Sequence, residues 1–197
     1  MISLGTYLSQ KYTNKKIISE SDTEIYAFLF DYIFGSVFYD LSLILIGAIA
    51  KQLIITLIFI LITAPIRTFS GGYHAKTRIR CNILSYSVFF SYLFISNIVN
   101  VNSTLLQIII YISTWGLIFL ISPVESENKH FTNENRKNLR KRLFISFIII
   151  TIITITIFLL NYIREVCSIN ICLIICTLSL YIGSYSKMRS LKSWIWK

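Results

Sequence analysis

Charged residues are scarce in this sequence, and acidic residues are the scarcest. Asp, Glu, Lys and Arg make up 14% of its 197 residues, whereas they make up about a quarter of an ordinary soluble domain. Nine residues are acidic against 19 Lys and Arg, so the net charge is +10. This composition argues against a soluble protein, because water is a poor solvent for so apolar a chain.

Two further absences argue against a small secreted protein. The four cysteines lack the paired short spacings of a disulfide scaffold or a zinc knuckle. Two of them, Cys172 and Cys176, lie one helical turn apart in an apolar run that begins just after Cys167, so we expect core packing there. The N-terminus lacks the basic flank and cleavage site of a secretory signal, so the first membrane segment is expected to be retained.

Hydrophobic residues are abundant, at 55% of the chain, and they are divided into separate runs. A helix crosses the hydrocarbon core in about 20 residues. The runs that we interpret as membrane spans are 32–50, 52–66, 83–101, 104–122, 143–163 and 169–186. We therefore predict an all-α, polytopic integral membrane protein with about six transmembrane helices, forming a single domain over residues 1–197.

Polar residues interrupt two of these runs. The second run is short, and Pro65 near its end predicts a break or a kink in the helix. The first run contains Asp40, with Asp31 just before it. An acidic group at that depth is costly, so Asp40 should face protein or water, in either a functional or a structural polar contact.

The N-terminal segment, residues 1–24, is too polar to cross a membrane. Apolar residues nevertheless recur in it at spacings of three and four, at Leu4, Tyr7, Leu8 and Tyr12. This pattern predicts a helix that lies in the membrane interface. A frayed terminus is the alternative.

The basic residues lie beside the apolar runs rather than on one soluble face, which favours membrane orientation over nucleic-acid binding. If the N-terminus is inside, all Lys and Arg except Lys51 and Arg164 fall in inner segments. Cytoplasmic segments carry such an excess of positive charge. We therefore predict that both termini are cytoplasmic.

The stretch with the clearest chemistry is residues 67–81, RTFSGGYHAKTRIRC, between the second and third spans. It contains His74, Cys81 and the pair Gly71-Gly72, which can adopt φ values that other residues avoid. A thiol attacks a carbonyl as the thiolate, and a neighbouring imidazole can accept its proton. The basic residues around Cys81 favour the thiolate too.

The spacing sets a condition on this pair. Seven residues on a straight helix would place His74 and Cys81 about 10 Å apart, so direct contact requires a bend. The two glycines offer that bend, with His74 on a cytoplasmic or re-entrant loop and Cys81 near the first turn of the next span. A buried Cys81 with an interfacial His74 is the alternative, and a zinc site would lack protein ligands.

These residues resemble the accessory gene regulator B family of quorum-sensing peptidases. The resemblance rests on Gly71-Gly72-x-His74 followed by Cys81 and preceded by Arg67, and on the order of spans over nearly the whole chain. A second, predicted cytoplasmic loop is also similar to that of the family. Its features are Pro123-Val124, Asn128-Lys129 and the basic cluster Arg136 to Arg142.

The resemblance implies a membrane cysteine endopeptidase of the bacterial cell membrane, with His74 as base and Cys81 as nucleophile. Such an enzyme cleaves the C-terminal part from a short amphipathic precursor peptide (AgrD-like) through an acyl-thioester, and promotes cyclisation to a thiolactone or lactone. No cofactor or nucleic acid is implied, the partners are the peptide and the lipid bilayer, and a homodimer is left open. The residues expected to contact the substrate are Arg67, Gly71, Gly72 and Lys129.

Two other functions are compatible with a small polytopic protein. A non-enzymatic peptide exporter or transporter would need polar residues along facing helices and often has internal repeats. Only Asp40 and scattered Ser, Thr and Asn residues occur in the spans, without clear similarity between the halves. A structural membrane subunit would leave His74 and Cys81 without a role.

Overall fold

The computed structural model describes residues 3–72, 78–99, 101, 103–124 and 132–195, and these ranges are all-helical apart from their connections. A 3₁₀ turn at Glu20–Asp22 precedes the second helix. The helices are α1 Leu4–Asn14, α2 Thr23–Ile49, α3 Leu53–Ser70, α4 Arg78–Ile98, α5 Thr104–Ile121, α6 Asn133–Leu159 and α7 Ile163–Ile195. The predicted all-α class is confirmed.

Six of the described helices, α2 to α7, are long and apolar enough to cross a membrane. Their surfaces carry many large apolar side chains: Leu120 is 80% exposed and Ile79 73% exposed. A soluble protein rarely leaves contiguous apolar surface of this extent in water. The prediction of a polytopic membrane protein with six spans is confirmed.

The helix of the fifth span, α6, begins at Asn133, ten residues before the apolar run 143–163 that predicts this span. The hydroxyl of Thr132 caps the helix by accepting a hydrogen bond from the Asn135 N–H. Helical backbone needs no apolar side chains, so the helix extends through the polar residues that hydropathy excludes. The basic cluster Arg136 to Arg142 therefore lies on the first turns of α6 and not in a loop.

Of the predicted break or kink at Pro65, the break was wrong, because α3 continues through this residue to Ser70, and the kink stays a prediction. Proline in a helix interior removes one backbone hydrogen bond and costs about 3 kcal/mol. Ile62 and Ile66, on either side of Pro65, are buried in the bundle. Packing of this kind can offset the cost and keep the segment helical.

The chain divides into two compact units, unit 1 (Met1–Lys51) and unit 2 (Gln52–Lys197), and the single-domain assignment stays a prediction. In unit 1, α1 packs on α2 through Gly5, whose N–H donates to Asp31 Oδ1 at 2.9 Å. A Cβ at Gly5 would collide with the Ala27 carbonyl oxygen. The apolar side chains of Leu4 and Tyr7 remain exposed, as an interfacial helix requires. Its position at a membrane surface stays a prediction.

In unit 2, α7 is the central helix and packs against α3, α4, α5 and α6. Of an apolar 18-residue stretch of α7, 67% is buried, compared with 22% of such a stretch of α5. Cys167, Cys172 and Cys176 are buried along α7. Core packing, the expected role of Cys172 and Cys176, is confirmed.

The helices of unit 2 alternate in direction. Val124, just after α5, bonds to Ser70 at the end of α3, so these two helices end together. Asn170, near the start of α7, bonds to Gln107 near the start of α5. One end of unit 2, the basic end, thus collects the ends of α3 and α5 and the starts of α4 and α6. The opposite end contains Gln107 and Asn170.

Candidate active site

The last turn of α3 leads directly into the glycine pair. Arg67 is half-buried in this turn, and its carbonyl oxygen accepts a hydrogen bond from the Gly71 N–H at 3.2 Å. Gly71 has a φ of +79° and Gly72 a φ of +146°. Residues with a side chain rarely adopt such values. The predicted unusual φ values of the glycine pair are confirmed, and the bend that would bring His74 to Cys81 stays a prediction.

Close packing gives a second reason for glycine here. A Cβ at Gly71 would lie 2.5 Å from the Val124 carbonyl oxygen, which is backbone and cannot rotate away. A Cβ at Gly72 would lie 3.1 Å from the Ser179 hydroxyl of α7. The glycine pair is therefore held between α7 and the segment that follows α5.

That segment, residues 122–124, crosses the end of α3 as a short strap. The Val124 N–H donates to the Ser70 carbonyl oxygen at 2.9 Å. Ser122, Pro123 and Val124 are all buried, and the Ser122–Pro123 peptide bond is cis. The sequence predicts Pro123 and Val124 to be part of a second cytoplasmic loop, and Val124 bonds to Ser70, which directly precedes the glycine pair of the first.

Arg140 of α6 forms hydrogen bonds to the first residue of the strap, Ser122. Its Nε and Nη2 atoms donate to the Ser122 carbonyl oxygen at 3.4 and 3.3 Å. In the sequence this residue is one of five basic residues in a cluster, and no spacing distinguishes it from the others. Its contact depends on the long-range pairing of α5 with the start of α6, which hydropathy does not encode.

Cys81 lies in the first turn of α4, as predicted for the start of the third span. It is half-buried, whereas the three other cysteines are buried. The N-terminal turn of a helix favours a nearby negative charge because its free N–H groups point outward. Cys81 is thus the cysteine that a substrate at the basic end could reach.

The packing of α4 on α3 sets the depth of Cys81. The Phe59 and Phe89 rings lie 5.3 Å apart, so these residues stand at the same level of the two helices. Arg67 and Cys81 are each eight residues from this pair, towards the basic end. At a rise of 1.5 Å per residue, Arg67 and Cys81 each lie about 12 Å along their helices from the ring pair. The two residues therefore lie at a similar depth in the bundle, towards the basic end.

The structure therefore brings Arg67, Gly71, Gly72 and Cys81 to one end of unit 2. His74 and Lys129 lie outside the described residues, and the pairing of His74 with Cys81 stays a prediction. No group of three or more His, Cys, Asp or Glu residues in the described ranges could hold a metal ion.

Comparison with known proteins gives one family match. Residues 4–182 match the sequence profile of the family described as Accessory gene regulator B. A search of curated proteins and a search of solved structures gave no match. The matched region includes the six predicted spans up to residue 182 and the segment from Arg67 to Cys81.

Proposed function

Because the chain belongs to the accessory gene regulator B family, we propose that it is a membrane cysteine endopeptidase that matures a quorum-sensing peptide. Membership in this family supports a part in quorum-sensing peptide processing. The proposed substrate is a short amphipathic precursor whose C-terminal part is removed. The observation that carries the proposal is the position of Cys81, a half-buried thiol at the depth of Arg67 and at the end of unit 2 that holds the glycine pair.

The first proposed step is acyl transfer to the enzyme. His74 takes the proton of the Cys81 thiol, and the sulfur attacks the scissile carbonyl carbon. The carbon–nitrogen bond breaks, and His74 returns the proton to the departing amine. The products are the C-terminal fragment with a free amine and the N-terminal part held on Cys81 as a thioester.

The second step closes the ring. An internal thiol or hydroxyl of the bound peptide gives its proton to His74 and attacks the thioester carbon, so that Cys81 leaves as thiolate and a thiolactone or lactone forms. Transfer of the acyl group from one thiol to another is nearly balanced in energy, so the reaction needs little driving force. Water must be excluded, however, because it would hydrolyse the thioester. A nucleophile tethered in the same peptide needs orientation more than activation.

The fixed position of Gly72 limits where His74 can act. His74 follows Gly72 by two residues, a separation that spans at most about 7 Å. The turn just before Gly72 is itself held by the Ser70–Val124 hydrogen bond. A base that begins from such an anchored turn can be positioned reproducibly against the first turn of α4.

The remaining site residues are proposed to bind the peptide. The half-buried Arg67 would hold a carboxylate or a polarised carbonyl of the substrate. Gly71 and Gly72 would let the substrate backbone approach the scissile position. Lys129 and the basic cluster on α6 would attract an acidic C-terminal half of the precursor.

The test of this function is cleavage of a precursor peptide by purified, reconstituted variants. Cys81→Ser and His74→Ala should each reduce cleavage below detection, because one removes the thiolate and the other its base. Cys167→Ser is the matched control, since it makes the same replacement at a buried cysteine on α7. Cleavage retained by either site variant, or lost equally in the control, would contradict the proposal.

A further inference from the structure

Ser179 of α7 brings a hydroxyl group to the glycine pair. It is half-buried, and its Oγ atom would lie 3.1 Å from a Cβ at Gly72. Among the described residues beyond the chain neighbours of Gly72, only Ser179 has atoms within 4 Å of that position. Because Gly72 has no side chain, the place beside the hydroxyl is open. No residue assigned to catalysis or binding so far belongs to α7.

The Ser179 hydroxyl is not used within the described part of the protein. Ser168 and Thr177 of the same helix donate to the carbonyl oxygens four residues earlier, at 3.0 and 2.8 Å. Serine and threonine often form this bond in a helix. Ser179 has neither this bond nor another hydrogen bond to a residue in the described ranges. Its O–H is therefore free to donate to a bound molecule.

Cys81 lies on the side of α4 that is turned towards α3. Tyr92, eleven residues along α4 from Cys81, donates its O–H to the Ile55 carbonyl oxygen of α3 at 3.1 Å. Eleven residues make about three turns, so Cys81 and Tyr92 project from the same side of the helix. The helical rise places Cys81 about 16 Å from Tyr92, towards the basic end. The same number of residues along α3 leads from Ile55 to Ile66.

Ser179 is turned towards α3 at a similar level. The Cys172 thiol contacts the Phe59 carbonyl oxygen of α3, with a sulfur–oxygen distance of 4.0 Å. Ser179 follows Cys172 by seven residues, about two turns, and so lies on the same side of α7. Seven residues along α3 from Phe59 lead to Ile66, the level already reached from Cys81. Cys81 and Ser179 thus approach the end of α3 at one level, from two helices that pack against each other.

We propose that Ser179 is a further catalytic residue of the peptidase, a hydrogen-bond donor that stabilises the oxyanion; this assignment rests on the proposed function. When the Cys81 sulfur attacks the scissile carbonyl carbon, negative charge collects on the carbonyl oxygen. The Ser179 O–H donates a hydrogen bond to that oxygen and keeps its own proton. The bond weakens again when the carbon–nitrogen bond breaks and the carbonyl group re-forms. The open place beside Gly72 gives the substrate backbone access to the hydroxyl.

The kinetics of precursor cleavage by reconstituted Ser179→Ala test this assignment. An oxyanion donor acts in the transition state, so kcat should fall about a hundredfold while KM stays within about twofold of its value in the unchanged protein. Ser184→Ala is the matched control, because it makes the same change at another half-buried serine of α7. Ser184 lies about 140° around the helix from Ser179, so its replacement should leave kcat unchanged.

Alkylation of Cys81 by iodoacetamide separates a catalytic role of Ser179 from a structural one. The sulfur displaces iodide in this reaction, and no tetrahedral oxyanion forms. The rate constant of alkylation should therefore be the same in Ser179→Ala and in the unchanged protein. If Ser179 only supported the position of Cys81, its replacement would slow alkylation and cleavage together.

Several results would overturn the assignment of Ser179. They are an unchanged kcat in Ser179→Ala, a rise in KM alone, a matching fall in the alkylation rate, and an equal loss of kcat in Ser184→Ala. Cys81→Ser, measured alongside, keeps this test distinct from that of the proposed function. An inactive Cys81→Ser with a fully active Ser179→Ala defeats the oxyanion assignment alone, whereas cleavage retained by Cys81→Ser defeats the proposed function itself.

Discussion

The two ends of unit 2 hold their buried polar groups in different ways. At the basic end, the Val124 N–H pairs with the Ser70 carbonyl oxygen, and Arg140 pairs with the Ser122 carbonyl oxygen. At the opposite end, Gln107 Oε1 and Asn170 Oδ1 are buried and have no hydrogen-bond partner in the protein. Protein groups thus satisfy the buried polar atoms of the first region, whereas two acceptors of the second have no protein partner. A rigid turn suits positioning of a catalytic base.

The largest expected effect comes from breaking the turn at the basic end. Gly71→Ala would place a methyl group 2.5 Å from the Val124 carbonyl oxygen in a residue with a φ of +79°. Displacement of the strap by about 1 Å should lower the rate of precursor cleavage by about a hundredfold. The rate of precursor cleavage by the purified variant in liposomes, compared with that of the unchanged protein, tests this prediction.

Gly116→Ala is the matched control for Gly71→Ala. The same methyl group meets no neighbouring side chain or other helix within 4 Å there, so cleavage should be unchanged. Equal cleavage by the two alanine variants would show that the glycine turn does not position the site.

A second prediction concerns the accessibility of the four thiols. Cys81 is half-buried, and Cys167, Cys172 and Cys176 are buried in the bundle. A small maleimide should label Cys81 at least about tenfold faster, because the others react only when the core opens locally. Mass spectrometry of digested protein gives the rate for each cysteine. Comparable labelling of Cys172 and Cys81 would contradict this placement of α4 and α7.

A smaller effect is expected at the strap itself. Arg140→Gln removes the charged donors to the Ser122 carbonyl oxygen, and loss of about 1 kcal/mol would slow cleavage about fivefold. Arg140→Lys should recover part of the rate, since one ammonium donor can replace the guanidinium. Lys141→Gln removes the same charge from the exposed neighbour and should have no effect. An equal loss of cleavage rate in Arg140→Gln and Lys141→Gln would indicate that the positive charge matters rather than the contact with the strap.

Local patterns in the sequence predicted the parts of the molecule that depend on local physics. Hydropathy located the six spans because a helix that crosses the hydrocarbon core needs about 20 mostly apolar residues. The glycine pair predicted its own backbone conformation, since few other residues tolerate positive φ. The position of Cys81 in the first turn of α4 followed from the same local pattern.

The features that sequence reasoning missed all depend on distant contacts. The strap depends on Val124 meeting Ser70, and neither residue carries a signal of the other. Gln107 and Asn170 are single polar residues in apolar runs, and their pairing requires α5 and α7 to start at the same end. The continuation of α3 through Pro65 and the start of α6 at Asn133 also departed from the hydropathy pattern, because packing and capping decide where a helix continues or begins.

The most direct measurement of the central claim is the intact mass of the protein after reaction with a precursor whose internal nucleophile is replaced by alanine. This substitution blocks ring closure, so the acyl-enzyme should accumulate. The predicted result is an added mass equal to the N-terminal part of the precursor, located on Cys81 and released by neutral hydroxylamine as expected of a thioester. Cleaved precursor without such an adduct, or an adduct on another residue, would contradict the account.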